Sequence, residues 1–483
     1  MSAHALPAAT SASPPVRPAL DARTRRLLEA PIVPTLLRMG LPNVVVMVAQ
    51  AAVGLIETFF IGKLGTDALS GVALVFPLVM LMQMMSAGAI GGGISSAIAR
   101  ALGAGRTADA NSLVVHACLV AVGFGVVFTL AAWLGGEALY AGMGGVGPSL
   151  EVALTYSGWV FAGAVLVWLF NAFASVVRGT GNMLVPAVVT CVGVIGLVPL
   201  SPALIFGFGP IPAFGVAGGA IALLLYYGLG TAWLAWYVAS GRSVLVPRFA
   251  GFRLRKDLLG DILRLGIAGA VSTVATNVSI AIATGYAGAY GPAAVAGYGT
   301  ASRLEYLLVP LVFGLGGPLV AMVGTCIGAG ERHRALKATW IGAALVVAMT
   351  EAIGIVAALL PEAWIGLFSS NPEVIASGSL YLREVGPFYG FFGAGLVLYF
   401  ASQGAGRLKW PVIGNLLRLA VAAGGGWLAL REGWGLPGVF AAQAAALVVY
   451  GLLNVATTAG GAWFGPVGWP RSTTALLGRC SAA

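Results

Sequence analysis

Charge is what this chain most conspicuously lacks. Charged residues fill 9% of its 483 positions, where a soluble domain carries about 25%, so a large water-soluble core is excluded. Cysteine is scarce as well: Cys118, Cys191, Cys326 and Cys480 are the four. Three fall in apolar runs and none makes a C-x-x-C pair, which argues against a disulfide framework and a metal site. The three histidines, His4, His116 and His333, lie in separate regions. A convergent catalytic cluster is therefore not expected, and the chain reads as a non-enzyme without a bound cofactor. Residues 1–30 lack the roughly 7–15-residue apolar core of a cleavable signal peptide and read as a disordered tail.

What is present is hydrocarbon and glycine. The chain is 59% hydrophobic, with 71 glycines and a mean hydropathy of +0.94. Small residues let membrane helices approach closely. Apolar stretches near the roughly 20 residues needed to span a bilayer recur at 34–62, 68–100, 109–136, 149–177, 184–207 and 214–240. A second set follows at 262–288, 293–328, 336–361, 373–404, 409–431 and 436–465. The net charge of +10 does not point to nucleic acid, because the basic residues fall in short loops. Of the 26, all but Lys63, Arg431, Arg303 and Arg383 are assigned to the side that carries both tails. That asymmetry places both termini in the cytoplasm of a multi-pass inner (plasma) membrane protein, with the lipid bilayer and a small molecule as partners and a monomer as the expected state.

The two halves repeat. At an offset of 226, Gly40, Gly62, Gly65 and Gly71 fall on Gly266, Gly288, Gly291 and Gly297. At 225, G-A-G at 103–105 meets G-A-G at 328–330, G-T-G at 179–181 meets G-A-G at 404–406, and Pro186 meets Pro411. Gly215 and Gly218 match Gly435 and Gly438 at 220. Self-similarity at a fixed period signals duplication, and six spans per half give both halves one orientation. The expected fold is an all-α polytopic membrane protein of twelve transmembrane helices. They form two six-helix bundles related by a pseudo-two-fold along the membrane normal, with a cavity between them. The expected divisions are a tail 1–33, an N-lobe 34–240, a connector 241–261, a C-lobe 262–465 and a tail 466–483.

Against so apolar a background, each ionisable residue inside a span is a functional candidate. Glu57 leads: it ends an apolar run, in L-I-E-T-F-F-I-G-K-L-G from Leu55. Asn43 and Gln50 precede it at heptad spacing, within about 20° per heptad of one face. They suggest a polar path, or equally polar glue between helices. In the eighth span, Arg303 and Glu305 face apart; in the tenth, so do Arg383 and Glu384. Cross-pairing of Arg303 with Glu384 and of Arg383 with Glu305 is a consistent structural reading, with Glu305 the stronger coupling candidate. Glu351 sits alone in the ninth span. Thr276 and Asn277 share a hydroxyl-rich stretch of the seventh, where bonding back to the i−4 carbonyl competes with cavity lining. Met80, Met82, Met84 and Met85 suit apolar ligands but equally plain packing. Phe388, Tyr389, Phe391 and Phe392 can stack on a flat cation or simply fill a core.

In this order the motifs resemble the multidrug and toxic compound extrusion (MATE) family over about residues 34–465. The resemblance rests on E-T-F-F-I-G-K-L-G, G-A-G-R at 103–106, R-G-T-G-N at 178–182 and L-I-F-G at 204–207. A-G-Y-G-T-A-S-R-L-E-Y from Ala296 and G-A-G-E at 328–331 complete it. It implies two bundles in a V, alternately open inward and outward, exporting organic cations in exchange for Na⁺ or H⁺. Glu57 stands where the family usually has Asp, and Asn171 matches an Asn common in the fourth helix. Leu197 and Ser201 replace an Asn and an Asp of the fifth, and Thr276 and Asn277 occupy the region where some branches carry an acid. The missing oxygen ligands favour H⁺ over Na⁺, with Glu57 and Glu305 as coupling carboxylates. The position repeat-equivalent to Glu57 is Ala283, so a C-lobe carboxylate must come from another helix. The alternative is a flippase of a lipid or lipid-linked sugar, for which a strongly cationic cavity is expected; Arg303 and Arg383 are the intramembrane basics counted here. A sugar or drug facilitator of another twelve-helix class would carry a Gly/Asp/Arg signature where this chain reads A-L-G-A-G-R-T-A-D-A.

Overall fold

Proline and glycine set the helix boundaries. A computed structural model describes residues 20–210, 212–247 and 252–463. Span 1 runs Ile32–Gly62 behind Pro31, and spans 8 and 10 open on Pro292 and Pro372, where a missing backbone N–H costs nothing. Between them lie span 2 (Thr66–Gly103), span 3 (Thr107–Gly142), span 4 (Gly147–Gly179), span 5 (Leu184–Phe206), span 6 (Val216–Ala239) and span 7 (Lys256–Gly288). Span 8 ends at Gly328 and span 10 at Gly404. Span 9 is Arg332–Leu359, span 11 Lys409–Arg431 and span 12 Gly435–Ala459. Twelve crossings result if span 4, bent by 47° between Ala162 and Ala164, counts as one.

The repeat survives in three dimensions. A Cβ on Gly71 would fall 2.7 Å from the Ser149 carbonyl oxygen, and one on Gly297 2.8 Å from that of Val374; both shifts (71 to 297, 149 to 374) follow the sequence register. Gly40 of span 1 packs on Leu315 of span 8, and Gly266 of span 7 packs on Ile90 of span 2. Those contacts exchange under the repeat, as a two-fold axis between the bundles requires. Gly105 and Gly330 turn the chain out of spans 2 and 8 at φ 71° and 79°, a region that side chains rarely enter.

Spans 4 and 10 break at the same place, Gly163 and Phe388 being repeat-equivalent, and a broken helix leaves backbone groups without partners. The halves solve this differently. In span 4, Thr129 donates to the Phe161 carbonyl at 2.5 Å. In span 10, which passes through a 3₁₀ turn at Gly386–Phe388, Glu351 accepts the Gly390 N–H at 2.6 Å.

The bundles meet in one half of the molecule. Every hydrogen bond joining their helices among the described residues lies in the half nearest the span 2–3 and span 8–9 turns. Asn43 donates to the Phe313 carbonyl at 2.9 Å, and Ser96 to the Gln403 carbonyl at 2.5 Å. Arg100 holds Asp261 through two contacts of 2.9 and 2.8 Å. In the opposite half the bundles diverge.

Two expectations need correcting. Residues 1–33 are not tail throughout. Ala22–Glu29 forms a short helix capped by Asp21, its Leu27 buried with Leu319 and Val323 of the C-lobe. Arg334 donates to the Leu27 carbonyl at 3.0 Å and to that of Ala30. Burial of Leu27 and the neutralised carbonyls hold the segment. The remainder of that tail (1–19), the whole tail 466–483 and connector residues 248–251 lie outside the described residues. The count of intramembrane basics is also one short: Arg418 sits well inside span 11 and is buried.

Candidate functional site

Each lobe sets one half-buried carboxylate against a tyrosine. In the N-lobe, Glu57 near the end of span 1 accepts a hydrogen bond from the Tyr156 hydroxyl of span 4. Gly219 of span 6 leaves room for it, since a Cβ there would stand 3.5 Å from Glu57 Oε1. Tyr227, also of span 6, is close enough to feel the Glu57 charge. Its hydroxyl takes a hydrogen bond from Gln83. Gln83 Oε1 in turn accepts from Asn171 at 3.1 Å, and Asn171 also donates to Ser86 Oγ at 2.9 Å. Gln83 and Ser86 are set apart by a π-helical stretch, Met84–Ile90, a distortion that often marks functional sites. The result is a chain of polar groups descending from the Glu57–Tyr156 pair through the lobe interior.

In the C-lobe, Glu305 of span 8 accepts from the Tyr381 hydroxyl of span 10. Tyr156 and Tyr381 are repeat-equivalent, so the same tyrosine serves both lobes while the carboxylate changes helix. Around Glu305 stand Tyr298, Tyr389 and Arg418, all within electrostatic reach. Tyr298, Tyr381 and Phe440 pack ring on ring, with centroids 5.0–6.2 Å apart, a favourable range. Arg418 lies over the rings of Phe392 and Tyr450, 5.4 and 5.8 Å from their centroids.

The other sequence candidates scatter. Asn43 bonds across to span 8 and is interlobe glue, while Glu57 faces its own lobe. The stripe they suggested is divided because two heptads drift by about 40° and the lobes part between them. Gln50 is half-buried and makes no hydrogen bond to a described residue. The expected cross-pairs do not form. Arg383 is 59% exposed and reaches Glu362 of the short helix Pro361–Ile365 at 2.5 Å, a charged tip extending toward the rim. Arg303 lies over the Phe368 ring, 5.4 Å from its centroid. Glu384 has no ion-pair partner among the described residues, and Glu305 is taken by Tyr381. Glu351 caps the restart of span 10. Thr276 bonds back to the Ser272 carbonyl at 3.0 Å, accepts from Asn415 and so ties span 7 to span 11; Asn277 bonds back to Thr273 at 2.9 Å. Of the secondary candidates, Asn171 joins the Glu57 neighbourhood and Tyr389 that of Glu305. Sequence reasoning passes over Tyr156, Tyr227, Tyr381 and Arg418. The repeat relation between Tyr156 and Tyr381, and an arginine in the middle of an apolar span, are the signals that mark them.

The comparisons with known proteins agree in kind. The family profile MatE matches residues 42–203 and 269–428, one segment in each half. A protein of Shewanella oneidensis called FAD transporter is 28% identical over 405 residues, covering 82% of this chain and 87% of its own. The probable multidrug resistance protein NorM of Thermotoga maritima is 26% identical over 390 residues, covering 78% and 81%. Among solved structures, a crystal structure of MATE in the bent conformation superposes with a TM-score of 0.85 at 22% identity, over 96% of this chain and 100% of that one.

Proposed function

Because the chain belongs to the MatE family of multidrug and toxic compound extrusion transporters, we propose that it exports cationic organic compounds against an inward flow of protons, with Glu57 as the coupling carboxylate. The observation that carries this reading is the geometry of Glu57. It is half-buried in its own lobe, bonded to a neutral tyrosine, with no basic side chain within ion-pair distance among the described residues. An ionised carboxylate in hydrocarbon is costly, and the same group carried as the neutral acid is far cheaper. In the outward-facing state Glu57 takes a proton and loses its attraction for a cationic cargo. The neutral site then returns inward, and the ionised carboxylate attracts the next cation. Both termini are cytoplasmic in this reading. The contacts around Arg100, Gln403 and Asn43 then close the cytoplasmic side, and the described state is open outward. Rocking of one bundle against the other about the pseudo-two-fold supplies alternating access. The Na⁺ alternative wants several oxygen ligands, and Leu197 lines the N-lobe where another would be needed.

A second reading keeps the same machinery and changes the cargo. The Shewanella relative's name points to an acidic, aromatic compound, and the buried Arg418 favours it. Ethidium transport in proteoliposomes tests the main reading. An imposed pH gradient, acidic on the side that receives ethidium, is expected to drive uphill movement, while a Na⁺ gradient at constant pH is not. Transport driven by Na⁺ alone overturns the coupling assignment.

A further inference from the structure

The buried guanidinium of Arg418 has no assigned work in proton coupling. Its residue is 7% exposed and stands about 14 Å along span 11 from the helix start, at about 1.5 Å per residue. That depth is near the middle of the bilayer, where an arginine is retained only for a purpose. None of its N–H groups donates to a described residue, and no carboxylate comes within ion-pair distance of it. Glu305 is within electrostatic reach, but its Oε1 accepts from Tyr381. Phe392 and Tyr450 lie against the guanidinium, and its N–H edge has no acceptor among the described residues. A second polar group points the same way. The Tyr389 hydroxyl is fully buried, has no hydrogen-bond partner among the described residues, and lies within reach of the same Glu305. An unmade hydrogen bond of this kind is costly, more so for a charged group, so donors are left open where something else completes them.

We propose that Arg418 binds the oxyanion of an acidic aromatic cargo, a carboxylate or phosphate, with the Phe392 and Tyr450 rings framing its flat body. A guanidinium presents a planar fork matched to such groups, and aromatic faces suit it equally. The N-lobe has no counterpart: the repeat-equivalent position is Gly193. The two lobes thus divide the work, the N-lobe carrying the proton and the C-lobe reading the acid. This assignment rests on the transporter reading above and takes up its second cargo class, the acid.

The test uses the full chain in proteoliposomes with two dyes, fluorescein as the acidic aromatic and ethidium as the cation, together with dye binding to purified protein. Wild type is expected to bind fluorescein and to lose it to benzoate but not to benzamide. Arg418→Gln is expected to weaken fluorescein binding to purified protein about tenfold or more, and to weaken it more than ethidium binding. Arg418→Lys, which keeps the charge but not the fork, is expected to fall between. Equal loss of both dyes, or competition by benzamide as strong as by benzoate, overturns the proposal. If ethidium follows the pH gradient and fluorescein never binds, the proposal fails and the exporter reading stands; if neither dye moves, the exporter reading itself fails. Phosphatidylglycerol headgroups offer the same oxyanion chemistry. Unchanged fluorescein affinity when phosphatidylglycerol replaces phosphatidylcholine supports a free solute, while displacement of the dye assigns the site to lipid and overturns it.

Discussion

The two lobes share a fold and differ in where they put charge. Tyr156 and Tyr381 occupy one repeat position and each donates to a carboxylate. Glu57 comes from the first helix of its half, and Glu305 from the second helix of the other. Glu57 has only neutral company, whereas Glu305 shares its pocket with Arg418. A buried acid without a basic partner has nothing to hold its charge in place, so it is suited to exchanging a proton during a cycle. An acid within electrostatic reach of a base has its charge steadied by it, even where the two form no ion pair. Duplication conserved the tyrosine and the helix breaks. The chemistry that makes the lobes unequal lies on different helices.

The sharpest break in this comparison is a pair of isosteric substitutions. Glu57→Gln is expected to abolish transport driven by a pH gradient, a loss of at least about a hundredfold if that carboxylate is the coupling group, with little effect on thermal stability. Glu305→Gln is expected to do the reverse, lowering stability by about 1 kcal/mol, since Arg418 acts on Glu305 at electrostatic reach without an ion pair, while leaving measurable coupling. Thermal unfolding in detergent and ethidium flux on the same preparations separate the two patterns. Coupling that persists in Glu57→Gln and vanishes in Glu305→Gln would reverse the roles of the lobes.

The tyrosines offer a gentler comparison. Hydrogen bonds to charged groups contribute about 1.5–3 kcal/mol, so Tyr156→Phe and Tyr381→Phe each leave one carboxylate oxygen bare. Tyr156→Phe is expected to slow ethidium flux about tenfold because Glu57 loses its orientation. Tyr381→Phe is expected to cost stability more than flux, since Glu305 keeps Arg418. Equal effects of both on flux would show that the lobes work alike.

How far this division is readable in the sequence depends on the residue. Twelve spans, the duplication and the bundle architecture follow from apolar run lengths and glycines in register, because hydrocarbon thickness and close backbone approach constrain sequence directly. Glu57 and Glu305 stand out for the same reason: a carboxylate is too costly in an apolar run to persist there without a use. Their partners do not, because tyrosine is common in membrane helices, and only its repeat position distinguishes Tyr156 from Tyr226. The Arg303–Glu384 and Arg383–Glu305 pairs are plausible by depth and sign, yet helix rotation decides such contacts. Rotation turns Arg383 outward to Glu362. Glu351 resembles a coupling candidate because Gly386-Pro387 announces a break in span 10 but not that Glu351 of span 9 lies beside the restart. Arg418 is concealed by its short distance from Arg407 and Lys409, which makes it read as one more cytoplasmic basic residue.

Glu351 and Thr129 extend the comparison to the broken helices. Glu351→Gln keeps an oxygen for the Gly390 N–H and is expected to leave flux unchanged, whereas Glu351→Ala removes the acceptor and costs about 1–2 kcal/mol. Thr129→Val, in the other lobe, is expected to cost about 1 kcal/mol, the net value of a neutral hydrogen bond. Loss of flux in a stable, well-expressed Glu351→Gln protein would return that carboxylate to the coupling pathway and make the lobes more alike.

The smallest expected effect concerns how the lobes hold each other. Arg100 is largely buried and grips Asp261 of the opposite lobe, whose side chain is 44% exposed, so the pair is only partly shielded from solvent screening. Such contacts contribute about 0.2–1 kcal/mol, which at about 1.4 kcal/mol per decade moves a two-state ratio by less than about tenfold. Asp261→Asn removes the charge without removing the side chain. Spin labels on the solvent-facing ends of spans 2 and 8, at Asp67 and Ala293, report the separation of the lobes where they diverge. The variant is expected to shift that distance distribution toward the shorter population, because the contact it weakens holds the described state. Raised salt should produce the same shift in wild type and little further change in the variant. A distribution indifferent to both would mean that Asn43, Ser96 and the packed glycines of spans 1, 2, 7 and 8 hold the closed side without help from charge.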